Sequence, residues 1–149
     1  MITAWYLPPS GRIYPQNELY VKSRLNDFHL ISFQDDTLTI PIYNQLHRDS
    51  LSFLKNALQE NKDRKTVVVT HHVPTYQNYP DIYKGSPLND AFTVELSQLI
   101  FETQPEVWIY GHSHYNTPDF KMGNTLLTTN QLGYVHMREH KHFEPCRTI

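Results

Sequence analysis

Three histidines follow two apolar runs of the sequence, and their side chains could together bind a metal ion. His71 comes directly after the run at 66–70, and His112 and His114 come one residue apart just beyond the run at 107–110. Neutral imidazole suits borderline metals such as manganese, iron and zinc. The residues alone leave two kinds of site open. One holds a single ion through three histidines and a water, and the other holds two ions whose remaining ligands lie elsewhere.

A fourth histidine, His72, stands beside His71. Neighbouring side chains of an extended chain point to opposite sides, so two adjacent residues rarely both act as ligands. We therefore predict that His72 is a catalytic or supporting group near a substrate, with ligation of a metal as the alternative. The other histidines are predicted to be structural or solvated, and they are His29, His47, His136, His140 and His142.

The apolar runs predict the elements that position these histidines. Their β-branched and aromatic residues indicate two buried neighbouring strands, with Val67, Val69, Val107 and Ile109 in the core. A helix is predicted before each strand, from Ile42 or Asn44 to Glu60 and from Asn89 or Asp90 to Glu102. This alternation indicates an α/β fold with a partly parallel sheet, in which functional groups gather beyond the carboxyl ends of the strands.

Weaker patterns predict the remaining elements. A short strand is expected within residues 1–6, a helix at 17–25, and a hairpin that pairs 28–33 with 38–40. A second hairpin is expected at 120–129, with its turn at Gly123-Asn124. The long loop at 74–87 carries three tyrosines, which either line a substrate entrance or simply pack.

Composition indicates one soluble domain over residues 1–149. Of the residues, 39% are hydrophobic and 19% are charged, which is typical of a globular protein. The formal net charge of -2 gives no electrostatic support for nucleic-acid binding. Cys146 is the single cysteine, no apolar run is long enough to span a bilayer, and no signal-peptide pattern is present. We therefore expect a cytoplasmic protein that does not bind membranes.

Two segments resemble the last two motifs of the calcineurin-like metallophosphoesterases. They are Thr70-His71-His72-Val73-Pro74 and Gly111-His112-Ser113-His114. Further segments look like landmarks of a bacterial branch, at 3–5 (TAW), 26–28 (NDF), 46–50 (LHRDS), 89–92 (NDAF) and 130–134 (NQLGY). The family fold opens with three more motifs, Asp-x-His, Gly-Asp-x-x-Asp and Gly-Asn-His-Asp/Glu, which we interpret as absent. The chain therefore resembles the C-terminal portion of such an enzyme.

The resemblance implies a fold, an activity and a role for each histidine. The fold would be the C-terminal half of a metallophosphoesterase-type β-sandwich flanked by helices, and the activity metal-dependent hydrolysis of phosphate esters. His71 and His112 would bind one divalent ion (Mn, Fe or Zn) of a binuclear pair, His114 would bind the other, and His72 would lie near the substrate.

Without the opening motifs and their bridging carboxylate, we expect weak or absent activity from this chain alone. We also expect an exposed sheet edge that binds either the missing N-terminal half or a second copy. Two alternatives remain at this point: a degenerate, non-catalytic metal-binding domain, and a self-sufficient hydrolase with one ion held by three histidines.

Overall fold

The computed structural model describes residues 15–149, so the strand predicted within residues 1–6 lies outside the described residues. The helices are α1 Pro15–Arg24, α2 Asp27–Leu30, α3 Ile40–Glu60, α4 Asn89–Phe92 and α5 Ser97–Thr103. The strands are β1 Ser32–Phe33, β2 Asp36–Thr37, β3 Val67–Val69, β4 Val107–Tyr110, β5 Phe120–Met122 and β6 Thr125–Thr129. Single turns of 3₁₀ helix occur at Asp81–Tyr83, Val135–Met137 and Glu139–His142. Helices and strands alternate, which confirms the α/β class.

The main sheet has four strands in the order β3-β4-β6-β5. The first three are parallel and β5 is antiparallel to β6, so both the partly parallel sheet and the hairpin at 120–129 are confirmed. Helices α3 and α5 cover one face of this sheet. Their side chains Leu54, Leu58 and Ile100 pack in one core with Trp108 and Leu127 of the strands. The described residues contain no helix long and apolar enough to cross a membrane.

Helix α3 begins at Ile40, slightly earlier than its leucine pattern predicts. Thr39 has an extended backbone, and its hydroxyl accepts a hydrogen bond from the N–H of Ile42 at 3.5 Å. A threonine at this position satisfies one of the unpaired N–H groups of a helix start. Pro41 lies in the first turn, where its missing N–H costs nothing. The cap, rather than the apolar stripe, therefore sets where the helix begins.

The strand predicted at 28–33 is wrong over most of its length. Residues 27–30 form α2 instead, because the carbonyl of Asn26 accepts hydrogen bonds from the N–H groups of His29 and Leu30 at 2.9 and 2.8 Å. Ile31 and Ser32–Phe33 are extended, Ser32–Phe33 pairs antiparallel with Asp36–Thr37, and the N–H of Leu38 donates to the carbonyl of Ile31 at 2.9 Å. A hairpin is therefore present, but it is shorter than predicted and lacks a strand at 28–30. The apolar residues that suggested a strand serve a helix here, and Phe28 is buried in a second core between α1, α2 and α3.

The single helix predicted from Asn89 or Asp90 to Glu102 is also wrong, because it is two helices with an extended stretch between them. Thr93 bridges to Val73, and the N–H of Val94 donates to the carbonyl of Val73 at 3.0 Å. These β-branched residues lose little by leaving a helix. Glu95 then accepts a hydrogen bond from the N–H of Ser97 at 2.9 Å, at the start of α5. A long-range contact therefore interrupts a locally helical pattern.

Strand β3 is less buried than its three consecutive valines predict. Val68 is 5% exposed, but Val67 and Val69 are 54% and 67% exposed. Val107 is buried as expected and Ile109 is half-buried. The prediction of a core position is therefore wrong for Val67 and Val69. The reason is that β3 lies at the edge of the sheet, and α3 and α5 cover only the face to which Val68 points.

This difference between neighbouring valines gives a matched test of the core. We expect Val68→Ala to lower the free energy of unfolding by about 2–3 kcal/mol, because two buried methyl groups are lost and a cavity remains. Val69→Ala should stay within about 0.5 kcal/mol, since an exposed side chain has little burial to lose. Urea denaturation of both variants measures the difference, and equal losses would contradict the described packing of β3.

Candidate metal site

The predicted site lies beyond the carboxyl ends of β3 and β4. The N–H of Thr70 donates to the carbonyl of Ile109 at 2.9 Å, and the N–H of Gly111 donates to the carbonyl of His71 at 3.1 Å. These bonds continue the parallel pairing past the last strand residues, so the two loops leave the sheet side by side. The expectation that the strand ends are neighbours is confirmed, and it places His112 next to His71.

The rings of His71 and His112 meet through two nitrogen atoms. Nε2 of His71 lies 2.9 Å from Nδ1 of His112. Two imidazoles bound to one ion through bonds of 2.0–2.1 Å have nitrogens about 2.9–3.4 Å apart for right-angled to tetrahedral geometry. In the chain without an ion this contact is a hydrogen bond between the two rings, and the same separation would fit two ligands of a single divalent ion. Nε2 of His112 lies away from this contact and is buried without a hydrogen-bond partner within the part of the chain that the structure describes.

The surroundings of both imidazoles lower their pKa and so favour the neutral form, more strongly for the half-buried His112 than for the exposed His71. Burial, with the neighbouring His72, His71 and His114, lowers the pKa of His112 to about 3. Burial and His114 also lower the pKa of His71, although the carboxylate of Asp27 acts in the opposite direction. A neutral imidazole carries a lone pair on one nitrogen, which is the form that binds metals.

His114 lines the same cavity, but its ring contacts Glu139 and Tyr134 rather than the other two predicted ligands. Nδ1 of His114 is 3.0 Å from Oε2 of Glu139, and the Tyr134 ring meets it edge to face with centroids 4.6 Å apart. Within residues 15–149, no three His, Cys, Asp or Glu side chains are arranged to hold a metal ion. Two of the three predicted ligands therefore converge, and ligation by the third stays a prediction.

His72 lies beneath the pair rather than in the cavity. Its side chain is 4% exposed, and its ring centroid is 4.4 Å from that of His112. Its carbonyl accepts a hydrogen bond from the hydroxyl of Thr70 at 2.9 Å, and that hydroxyl accepts one from the indole N–H of Trp108 at 3.0 Å. This burial favours support of the His112 ring over contact with a substrate, and a catalytic role for His72 stays a prediction.

A cavity of about 540 Å³ contains the three histidines of the predicted ligand set. Charged and aromatic side chains also line it, and they are Arg24, Asp27, Tyr79, Tyr83, Phe92, Tyr134 and Glu139. Tyr83 also fixes the histidine loop, since its hydroxyl donates to the carbonyl of Ser113 at 3.0 Å. All three tyrosines of the loop belong to or pack against the main core, and Tyr79 and Tyr83 also line the cavity whereas Tyr76 does not.

Asp27, whose carboxylate lies at this cavity, corrects one interpretation of the sequence, namely that the motif Asp-x-His is absent. Residues 27–29 read Asp-Phe-His, so the letters Asp-x-His do occur in the chain. They lie on the short helix α2 rather than beyond a strand, and His29 is exposed and does not line the cavity. Asp27 nevertheless brings a negative charge close enough to act on His71. Arg24 and Glu139 carry no sequence signal that could have identified them.

Comparison with known proteins gives one relative. An uncharacterized protein of Acanthamoeba polyphaga mimivirus is 33% identical over 142 residues, an alignment that covers 87% of this chain and 49% of that protein. The chain thus spans about half the length of this relative. No family model matches the sequence. No solved structure gives a significant match.

Proposed function

We propose that the chain is the C-terminal portion of a metal-dependent phosphoesterase domain of the calcineurin-like type. The observation that carries the proposal is the 2.9 Å approach of Nε2 of His71 to Nδ1 of His112. Two neutral imidazoles meet beyond the carboxyl ends of adjacent parallel strands, in a cavity large enough for a small substrate. His71, His112 and His114 are the proposed metal ligands, with Mn, Fe or Zn as the ion.

The chain's own residues support binding of a phosphate ester beside such an ion. When bound, a divalent ion supplies Lewis-acid stabilisation of negative charge on a phosphoryl oxygen. Arg24 lines the cavity, its guanidinium group lies 5.6 Å from the centroid of the Tyr20 ring, and arginine is well suited to phosphate oxygens. Phe92 packs against the His112 ring with centroids 4.6 Å apart, which restricts its orientation. The cavity thus offers His71 and His112 as metal ligands, with the His112 ring restricted by Phe92, and Arg24 as a positively charged residue of its lining.

The uncovered side of the sheet supports the proposal of a partial domain. Thr66 and Thr70 direct their backbone groups to β4, so alternation directs those of Val67 and Val69 to the outer edge of β3. No strand within residues 15–149 pairs with that edge. The exposed side chains of Val67, Val69 and Phe53 lie beside it. We propose that further strands complete a β-sandwich here, supplied by an N-terminal half or by a second copy.

A non-catalytic metal-binding domain is the second candidate function. The observation in its favour is that only two of the proposed ligands converge within residues 15–149. Two neutral imidazoles provide no negative charge to offset a second divalent ion, and Asp27 is one carboxylate where a binuclear site shares several anionic ligands. A self-sufficient hydrolase with one ion and three histidine ligands would require Nε2 of His114 to reach the ion that His71 and His112 bind, since Nδ1 of His114 is engaged by Glu139.

Turnover of an aryl phosphate with added Mn²⁺ tests these candidates. We expect near-background rates of hydrolysis from the chain alone and from His112→Ala. The chain lacks most of the ligands that a binuclear site needs, and phosphomonoester hydrolysis is intrinsically very slow. Robust turnover that is lost in His112→Ala and kept in His142→Ala, which changes an exposed histidine, would show that the chain is complete by itself.

A mixture separates the two proposed functions. Adding a polypeptide that corresponds to the unmatched half of the mimivirus relative should raise the rate if the chain is part of an enzyme. Binding of Mn²⁺ and of that polypeptide, without any hydrolysis, would contradict the phosphoesterase proposal and support the non-catalytic one.

A further inference from the structure

Glu139 meets His114 from the C-terminal segment, defined here as residues 134–147. Its Oε2 lies 3.0 Å from Nδ1 of His114 and also accepts a hydrogen bond from the N–H of Tyr134 at 2.6 Å. We propose that Glu139 is a positioning residue that holds His114 as the Nδ1–H tautomer and leaves the lone pair of Nε2 for a cation in the cavity.

The chemistry of the two groups assigns the proton. An ionised carboxylate only accepts hydrogen bonds, so the contact at 3.0 Å requires Nδ1 of His114 to donate. A neutral imidazole has one N–H, and Nε2 then carries the lone pair. Metal-binding histidines commonly donate their second ring N–H to a carboxylate in this way, which fixes the ring and makes the ligating nitrogen more basic.

The backbone near Glu139 and His114 leaves room for the contact between their side chains. Gly133 has a φ of +62°, and a Cβ at this position would lie 2.6 Å from Cβ of Glu139 and 2.8 Å from its Oε2. Any larger residue would displace the carboxylate. The N–H of His114 donates to Oε1 of Gln131 at 2.7 Å, which fixes the left-handed backbone of His114 at a φ of 52°. Both partners are therefore placed by specific backbone contacts.

The C-terminal segment is anchored at two positions beyond Glu139 and is not a loosely solvated tail. The N–H of Glu144 donates to Oδ1 of Asn130 at 2.9 Å, and the amide of Asn130 donates back to the carbonyl of Glu144 at 2.8 Å. Arg147 donates to both carboxylate oxygens of Asp119 and, at 3.1 Å, to the carbonyl of Thr129. The segment can therefore hold Glu139 against His114 without a bound ligand.

The tautomer of His114 is measured on metal-free protein, so the result of that measurement does not depend on the proposed function. The effect of Glu139 on metal affinity does rest on the proposed function. Nitrogen-15 NMR of histidine-labelled protein at about pH 8, where free imidazole is neutral, distinguishes protonated from unprotonated ring nitrogens. His114→Gln identifies the signals by their loss. We expect Nδ1 of His114 to be protonated in the native chain, and Glu139→Ala and Glu139→Gln to shift its population towards Nε2–H.

Glu144→Gln is the matched control, because it removes a carboxylate from the same segment without touching His114. It should leave the tautomer unchanged, and amide spectra will show whether Glu139→Gln keeps the fold. An Nε2–H tautomer in the native chain, or an Nδ1–H tautomer unchanged in both Glu139 variants, would overturn the inference. Affinity for Zn²⁺ should fall about 10–100-fold in Glu139→Gln relative to Glu144→Gln. If the native chain binds no Zn²⁺, the proposed function fails while the tautomer still decides the role of Glu139.

Discussion

Replacing His112 with alanine should weaken Zn²⁺ binding by more than about 100-fold. This exceeds the loss of affinity expected when a residue that only hydrogen-bonds to a metal ligand is removed. The nitrogen Nδ1 of His112 is one of the two that converge at 2.9 Å, and burial and its histidine neighbours keep the ring neutral. Without it, one converging imidazole remains, and a single neutral ligand holds a hydrated ion poorly.

Calorimetric titration with Zn²⁺ measures this effect, with His142→Ala as the control. His142 is an exposed histidine outside the cavity, so its variant should bind as the native chain does. Similar losses in the two variants would indicate non-specific binding by surface histidines. An unchanged affinity in His112→Ala would contradict the assignment of this residue as a ligand.

Replacing Trp108 with alanine should lower the free energy of unfolding by about 3–5 kcal/mol. The side chain is fully buried in the centre of the sheet, between strands β3 and β6. A small domain is typically stable by only about 5–15 kcal/mol, so the variant should unfold at much lower urea concentrations or fail to fold. This is the largest single loss of stability that we expect from the described core.

Trp108→Phe separates ring burial from the hydrogen bond to the site. Phenylalanine keeps most of the apolar volume but loses the N–H that donates to Thr70, whose hydroxyl in turn holds the carbonyl of His72. We expect a smaller loss of stability, of which about 1 kcal/mol reflects the hydrogen bond. Equal stabilities of Trp108→Ala and the native chain in urea would show that this ring does not hold the sheet together.

The contact between His71 and His112 was predictable because it depends on local patterns and one topological rule. Two β-branched runs, each ending at a histidine, become adjacent parallel strands, and their carboxyl ends must then meet. The hairpin at Gly123 follows for a similar reason, since its turn residues and flanking strands are contiguous in sequence. In both cases the residues whose types carried the prediction are the same residues that make the observed contact.

Other features depend on contacts between distant residues and could not be read from local patterns. The exposure of Val67 and Val69 follows from the place of β3 at the sheet edge, which three valines do not reveal. The break between α4 and α5 depends on Val73, about twenty residues away. Glu139 reaches His114 only because the chain turns back at Gly133, so an acidic residue among exposed histidines gave no signal of its role.

A crystal structure of the chain soaked with Zn²⁺, with the ion located by its anomalous scattering, tests the metal site most directly. We predict a peak between the two rings, about 2.0–2.1 Å from both Nε2 of His71 and Nδ1 of His112. A peak bound only by exposed histidines such as His142, or an absence of any peak at the His71–His112 pair under saturating Zn²⁺, would contradict the metal site on which the proposed function depends.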